Sequence, residues 1–285
     1  MTLNQLPRVR YTSASRLRNP RQFFLSMLKD LAISRELAWR LMVRDIKSQY
    51  RQSFLGIFWA FIPSLSMALG LTLARNSGLV HLNDTSIPYP VYVFISMALW
   101  QTFVESLQGP AIAVGAAKSM LTKIQLPYEA IILSKVGEIF FNFGIKLIFI
   151  GLFFLWFRQP ISWSILLAPL AVIHLVILGI SFGLWLAPIG ALYKDIQQSL
   201  LLITAPWMLM TPVIYDIPAG GGFKTLVRLN PVTPLLVTAR QLSVGTDLTE
   251  IEGFWLVSGL MLILLMLGWI LYKLSMPMVI ERMSS

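Results

Sequence analysis

Six stretches of about twenty mostly apolar residues constrain this chain more than any other feature. A helix rises about 1.5 Å per residue and a hydrocarbon core is about 30 Å thick, so each can cross a bilayer. They run over Phe54 to Leu73, Tyr89 to Leu107, Ile131 to Phe157, Ile165 to Ile189, Leu200 to Ile214 and Phe254 to Leu274. The fifth is short and ends in Thr211-Pro212, so it is expected to tilt, kink or be completed by the residues after Ile214. Lipid offers the backbone no hydrogen-bond partners, which makes helices the natural spanning form. With 56% hydrophobic and 13% charged residues, the chain also lacks the balance of a soluble domain. The expected fold is an all-α integral membrane protein with six transmembrane helices.

Positive charge is retained on the cytoplasmic side of a membrane. With the N-terminus inside, all of the 23 lysines and arginines except Arg75, Lys146, Arg158, Lys224, Arg228 and Arg240 fall in cytoplasmic segments. Both termini are therefore expected in the cytoplasm. The stretch from Leu3 to Lys29 is polar and arginine-rich where a cleavable signal peptide would be apolar. The net charge of +10 is concentrated before the first apolar run, where it would meet anionic lipid headgroups rather than nucleic acid. Without cysteine, disulfides, thiol catalysis and cysteine-ligated metals are excluded.

Before the first span, Trp39, Met42, Val43, Ile46 and Tyr50 recur on one helical face and Arg40, Arg44, Lys47 and Arg51 on another. An apolar face with tryptophan beside a basic face suits an amphipathic helix lying in the membrane interface. A soluble helix packed on a cytoplasmic partner is the other reading. Between the fifth and sixth spans, about 35 residues pass through Pro218, Gly220-Gly221-Gly222, Pro231 and Pro234 yet keep apolar helical pieces. A short re-entrant or periplasmic helical hairpin is expected there. The resulting plan is a cytoplasmic segment over 1–32, the interfacial helix over 33–51, a six-span domain over 52–274 and a cytoplasmic tail over 275–285.

The sequence offers no catalytic or metal-binding constellation. Gly220 to Thr225 (GGGFKT) only echoes a phosphate-binding loop, lacking the Gly-Lys step and a preceding strand. His81 and His174 have no metal-ligand companions at helical or turn spacing. No serine stands in a nucleophile elbow and no acids are paired for glycosyl chemistry. Any ATP and magnesium must bind another chain.

Polar residues within the spans are few. Glu138, Asn142 and Lys146 are spaced by four and form one stripe on the third span. A mid-bilayer lysine costs about 2.5–3.5 kcal/mol on an insertion scale and needs a partner or water. Two readings stand: a polar conduit wall or inter-subunit contact, and an ion pair inside the bundle. Glu105 is expected to snorkel to an interface. On the fourth span Gly179-Ile180-Ser181-Phe182-Gly183 allows close helix approach. Aromatic faces slide past sugar rings without fixing one register, which makes Phe58, Trp59 and Phe61 on the first span, and Trp207 and Tyr215 around the fifth, conduit candidates. Their alternative role is lipid-facing or interfacial anchoring.

Several segments, in order, resemble one family. Ser48 to Trp59 (SQYRQSFLGIFW) is similar to the start of the first span in ABC-2 type permeases of polysaccharide exporters, the group that moves O-antigen, capsule and teichoic acid precursors. Lys123 to Pro127 (KIQLP) resembles that group's Lys-x-x-Phe-Pro loop, with Leu126 where phenylalanine is frequent. Tyr193 to Ile196 (YKDI) resembles its aromatic-Arg-Asp motif, with Lys194 replacing arginine. Thr211 to Tyr215 (TPVIY) and Leu229 to Arg240 (LNPVTPLLVTAR) resemble the motifs flanking its extracytoplasmic hairpin.

The resemblance implies a multi-pass permease of the cell inner membrane, working as a homodimer with two copies of a separate ATPase and holding no cofactor of its own. Its substrate would be a lipid-linked glycan. Lys123, Gln125, Pro127, Tyr128 and Glu129 in one loop, and Tyr193, Lys194 and Asp195 in another, would couple to the ATPase. ATP-driven closure would part the first and fifth spans, while Arg40, Arg44 and Arg51 would hold the lipid pyrophosphate. Competing readings are an ABC permease for another lipid or amphiphile, an ion-coupled secondary transporter or channel, and a membrane glycosyltransferase. Secondary transporters usually show inverted repeats and broken midplane helices. Here only the Glu138/Lys146 stripe fits that class.

Overall fold

The structure, a computed structural model, describes residues 20–51, 54, 56–79, 87–124, 126–217 and 220–284. The described residues form ten α-helices and no strand. In chain order these are α1 (Pro20–Arg51), α2 (Ile62–Asn76), α3 (Tyr89–Ala116), α4 (Lys118–Leu121), α5 (Glu129–Trp156), α6 (Ala168–Gly190), α7 (Lys194–Leu209), α8 (Gly222–Leu229), α9 (Val232–Val244) and α10 (Ile251–Ser284). Short 3-10 turns at Gly56–Ala60 and Trp163–Leu166 lead into α2 and α6. Three helices, α5, α6 and α10, are long and apolar enough by themselves to cross a membrane, so this is a multi-pass membrane protein.

The helix α3 forms the centre. Residues on every side of it are buried, among them Val91, Phe94, Ala98, Phe103, Leu107 and Val114. A helix buried all round needs apolar residues all round, and its few polar groups must bond locally. Ser96, Thr102 and Ser106 each donate to the carbonyl four residues earlier. The most extensive contact in the molecule is between α3 and α6, and the small-residue motif accounts for it. A Cβ on Gly179 would stand 2.9 Å from the Phe103 carbonyl oxygen, and one on Gly183 would stand 2.8 Å from that of Leu107. Only glycine lets these backbones meet. Between the two glycines, Ser181 turns the other way and donates to the Met261 carbonyl of α10 at 3.3 Å.

Several elements differ from the sequence expectation. The first apolar run is broken: Gly56 has a positive φ of 49°, the 3-10 turn comes next, and α2 starts only at Ile62. Pro63 lies in its first turn, where a missing N–H costs nothing. In the fifth run the helix begins earlier, at Lys194, and stops at Leu209 before the Thr211-Pro212 turn. Beginning at Pro20, α1 reaches well ahead of residue 33 and buries Phe23, Met27, Ser34, Ala38 and Leu41 on one stripe. That stripe packs on α5, while Trp39 and Ile33 stay exposed. Two short helices, α8 and α9, stand between the fifth and sixth runs, and α9 is enclosed by α3, α6 and α10 rather than laid on a surface.

Both α2 and α7 lean on α3 without approaching each other. Their outer faces expose Leu69 and Leu73, and Leu201, Leu202 and Ile203.

Candidate functional site

Polar side chains converge at three levels of the bundle. In the middle, Lys146 of α5 is completely buried, and its Nζ lies 2.7 Å from Glu105 Oε1 on α3. Thr102 Oγ1 is 3.3 Å from the same nitrogen. Asn142 donates to the other Glu105 oxygen at 3.3 Å and accepts from the Tyr50 hydroxyl of α1 at 2.8 Å. Burial, with Glu105 and Glu138 nearby, pushes the Tyr50 phenol up to about 12, so it remains a donor at physiological pH. The arrangement is an ion pair inside the bundle, with the counter-charge supplied from another helix. Glu105, part-exposed, turns its carboxylate toward α5, and Glu138 turns away to pair with Lys135 at 2.9 Å. Spacing on α5 located Lys146 and Asn142 but could not reveal a partner on α3.

At the end where α5 begins, Lys273 of α10 bridges Asp30 of α1 at 2.6 Å and Glu129 at 3.1 Å. The neighbouring Tyr272 donates to the Tyr128 carbonyl at 3.2 Å. Of the candidate coupling residues, Lys123 is exposed, Pro127 and Tyr128 are half-buried and Glu129 is buried. Gln125 lies outside the described residues. Tyr193 and Asp195 are exposed at the start of α7, with Lys194 its first residue.

At the opposite end, two residues of the α8–α9 segment tie down the turn after α7. Asn230 accepts from Trp207 Nε1 at 3.0 Å and from the Val232 amide at 3.1 Å. It also donates to Thr211 Oγ1 at 2.8 Å and to the Met210 carbonyl at 3.3 Å. Arg240 is buried, donates to the Pro212 carbonyl at 2.7 Å and Ser96 Oγ at 3.0 Å, and lies over the Tyr92 ring at 4.1 Å. It also pairs with Asp216 at 3.4 Å. Desolvation pulls this guanidinium below its ordinary range, and Tyr92 and Asp216 oppose that shift. A polar cavity of about 640 Å³ opens beside it, lined by Asp216, Lys224, Arg228, Gln241, Asp247 and Glu250. The sequence placed Asn230 and Arg240 within motifs, but only their bonds across the chain reveal why those side chains are needed.

The aromatic candidates separate into two groups. Phe58 and Trp59 are exposed on the 3-10 turn before α2. Phe61 is buried and stacked on Phe149 of α5. Trp207 packs edge-on against Trp100 and Phe103 of α3 and Phe182 of α6. Tyr215 donates to the Leu209 carbonyl and meets Phe223. On α1, Arg40 and Arg44 project outward beside Glu36 and Asp45 respectively, and Arg51 is exposed at the helix end. His174 bonds its own helix at the Leu170 carbonyl and lies against Phe254 and Trp255; His81 lies outside the described residues.

Comparison with known proteins adds three findings. The model of the ABC-2 type transporter family matches residues 36–244. The O-antigen export system permease protein RfbA of Myxococcus xanthus is 24% identical over 245 residues, spanning 85% of this chain and 93% of the relative. A protein of the same name from Klebsiella pneumoniae is 23% identical over 205 residues, spanning 70% and 76%.

Proposed function

Because the chain belongs to the ABC-2 type transporter family, we propose that it is the membrane permease of an ATP-driven exporter that carries lipid-linked, O-antigen-like polysaccharide out of the cytoplasm. The observation that carries this reading is the near end-to-end match to an O-antigen export permease, which spans 93% of that relative. The helices α2, α3, α5, α6, α7 and α10 are the six spans, α2 being lengthened by its 3-10 turn. Both termini are cytoplasmic on the distribution of lysine and arginine, and the membrane is the cell inner membrane.

In this reading two copies of the chain assemble with two copies of a separate ATPase. That ATPase binds ATP and magnesium and docks on the loop over 122–128 and on the start of α7. Exposed Lys123, Tyr193 and Asp195 suit that contact. The outer faces of α2 and α7, backed by α3 and, for α7, also by α6, suit a seam that opens to admit the polymer. Exposed Phe58 and Trp59 would meet the sugar, with Phe61, Trp207 and Tyr215 shaping the wall behind. The outward arginines of α1 would bind the pyrophosphate at headgroup depth. An ion-coupled carrier would use its intramembrane charges for transport, whereas Lys146 and Glu105 neutralise each other inside the bundle.

The test is co-purification with ATPases encoded beside this chain, and then ATP hydrolysis in lipid vesicles with and without undecaprenyl-linked glycan. A stable complex whose hydrolysis rises with glycan is expected. A chain that purifies alone and dissipates an ion gradient would overturn the reading.

A further inference from the structure

Two consecutive residues of α10 grip two consecutive residues at the start of α5. Tyr272 bonds the Tyr128 carbonyl, and Lys273 reaches Glu129. Lys273 also reaches Asp30 on α1. The α1 backbone rests on α5 and on the turn before α2, and does not approach α10. Among the described residues, a long lysine side chain therefore joins two helices whose backbones do not approach each other.

Burial makes the arrangement costly unless the charges are paired. The side chains of Lys273 and Glu129 are 7% and 4% exposed. A buried ion cluster is often replaceable by apolar packing without loss of stability, so packing alone does not require it. The triad instead links three elements with different tasks. Glu129 closes the loop facing the ATPase, Asp30 belongs to the interfacial helix with the headgroup arginines, and Lys273 belongs to the last span. One lysine shared by two carboxylates responds to displacement of either.

We propose that Lys273 is a positioning residue that passes movement of the ATPase-facing loop, through Glu129, to Asp30 and so to α1. This rests on the exporter reading above. When the loop moves, the helix holding the lipid head moves with it, so substrate delivery is timed to ATP binding. The group touches neither substrate nor nucleotide.

The experiment uses the permease–ATPase complex in vesicles with undecaprenyl-linked glycan. Asp30→Asn leaves Lys273 paired with Glu129, so the buried charge stays neutralised. Assembly and ATP hydrolysis are expected to match wild type, while glycan exported per ATP falls roughly tenfold, within the range by which linked sites bias one another. Asp30→Glu is expected to restore the ratio. If Asp30→Asn exports as much glycan per ATP as wild type, the coupling is overturned while the exporter reading stands. If Asp30→Asn fails to assemble, the triad is a packing device and the coupling is likewise overturned. A wild-type complex that moves no glycan with ATP overturns the exporter reading and this proposal with it.

Discussion

Lys146 and Glu105 meet at 2.7 Å across the α3–α5 contact, the lysine completely buried and the carboxylate part-exposed. Removing one partner strands a charge where water is scarce. Glu105→Gln is expected to lower stability by about 3 kcal/mol, whereas the double change Glu105→Leu with Lys146→Met recovers most of the loss. A double-mutant cycle of unfolding in detergent measures the coupling; additive single losses would mean that the two residues act independently.

The glycine face of α6 makes a prediction with its own control. Gly183→Ala would press a methyl group against the Leu107 carbonyl and the Pro110 ring, forcing α3 and α6 apart. Gly144→Ala on α5 meets nothing within 4 Å. We expect the first to reduce folded yield and thermal stability and the second to leave both unchanged. Equal behaviour of the two would show that the α3–α6 approach tolerates a side chain.

Asn230 bonds three segments at once, so Asn230→Ala leaves the Trp207 indole and the Val232 amide without their acceptor. Each buried group left unpaired costs about 1–3 kcal/mol. Hydrogen exchange should show the turn over 210–217 opening more often while α5 and α6 keep their protection. Unchanged exchange in that turn would remove Asn230 from the role assigned to it.

How far the sequence led is clearest at this end of the molecule. The apolar runs revealed an all-helical membrane fold, because bilayer thickness acts on any chain in the same way. The pair of short helices was visible as apolar pieces among glycines and prolines. What one dimension could not show is that Arg240 would lie over Tyr92, or that Glu105 would find Lys146 on another helix. Such pairings depend on which faces meet. The broken start of α2 was obscured for a related reason: hydropathy averages across Gly56 and Pro63, while backbone geometry responds to each.

Arg240 bonds the Pro212 carbonyl and Ser96 through one guanidinium nitrogen, faces Asp216 with the other, and lies over the Tyr92 ring, a combination that suits a flat, forked cation. Arg240→Lys keeps the charge but loses the stacking and one of the two directions of donation. A loss of about 1–2 kcal/mol is expected, measured as a lower unfolding midpoint. A lysine variant as stable as wild type would mean that charge alone suffices.

On α1, Arg40 and Arg44 pair with exposed acids beside them, contacts worth little in water, and so remain available to a phosphate. Reversing the charge at Arg40, Arg44 and Arg51 is expected to lower glycan export more than it lowers assembly with the ATPase. Transport and pull-down assays on the same preparation would compare the two, and equal losses would count against headgroup binding.

The central position of α3 makes an early part of the chain depend on parts that follow it. It emerges from the ribosome before α5 and α6, yet α6 covers its glycine-fitted face and α5 carries the cation that neutralises Glu105. Glu105 thus has its counter-charge only once Lys146 has been made, and the burial of that lysine depends equally on the carboxylate, so each of the two helices makes the other's charge tolerable inside the bundle.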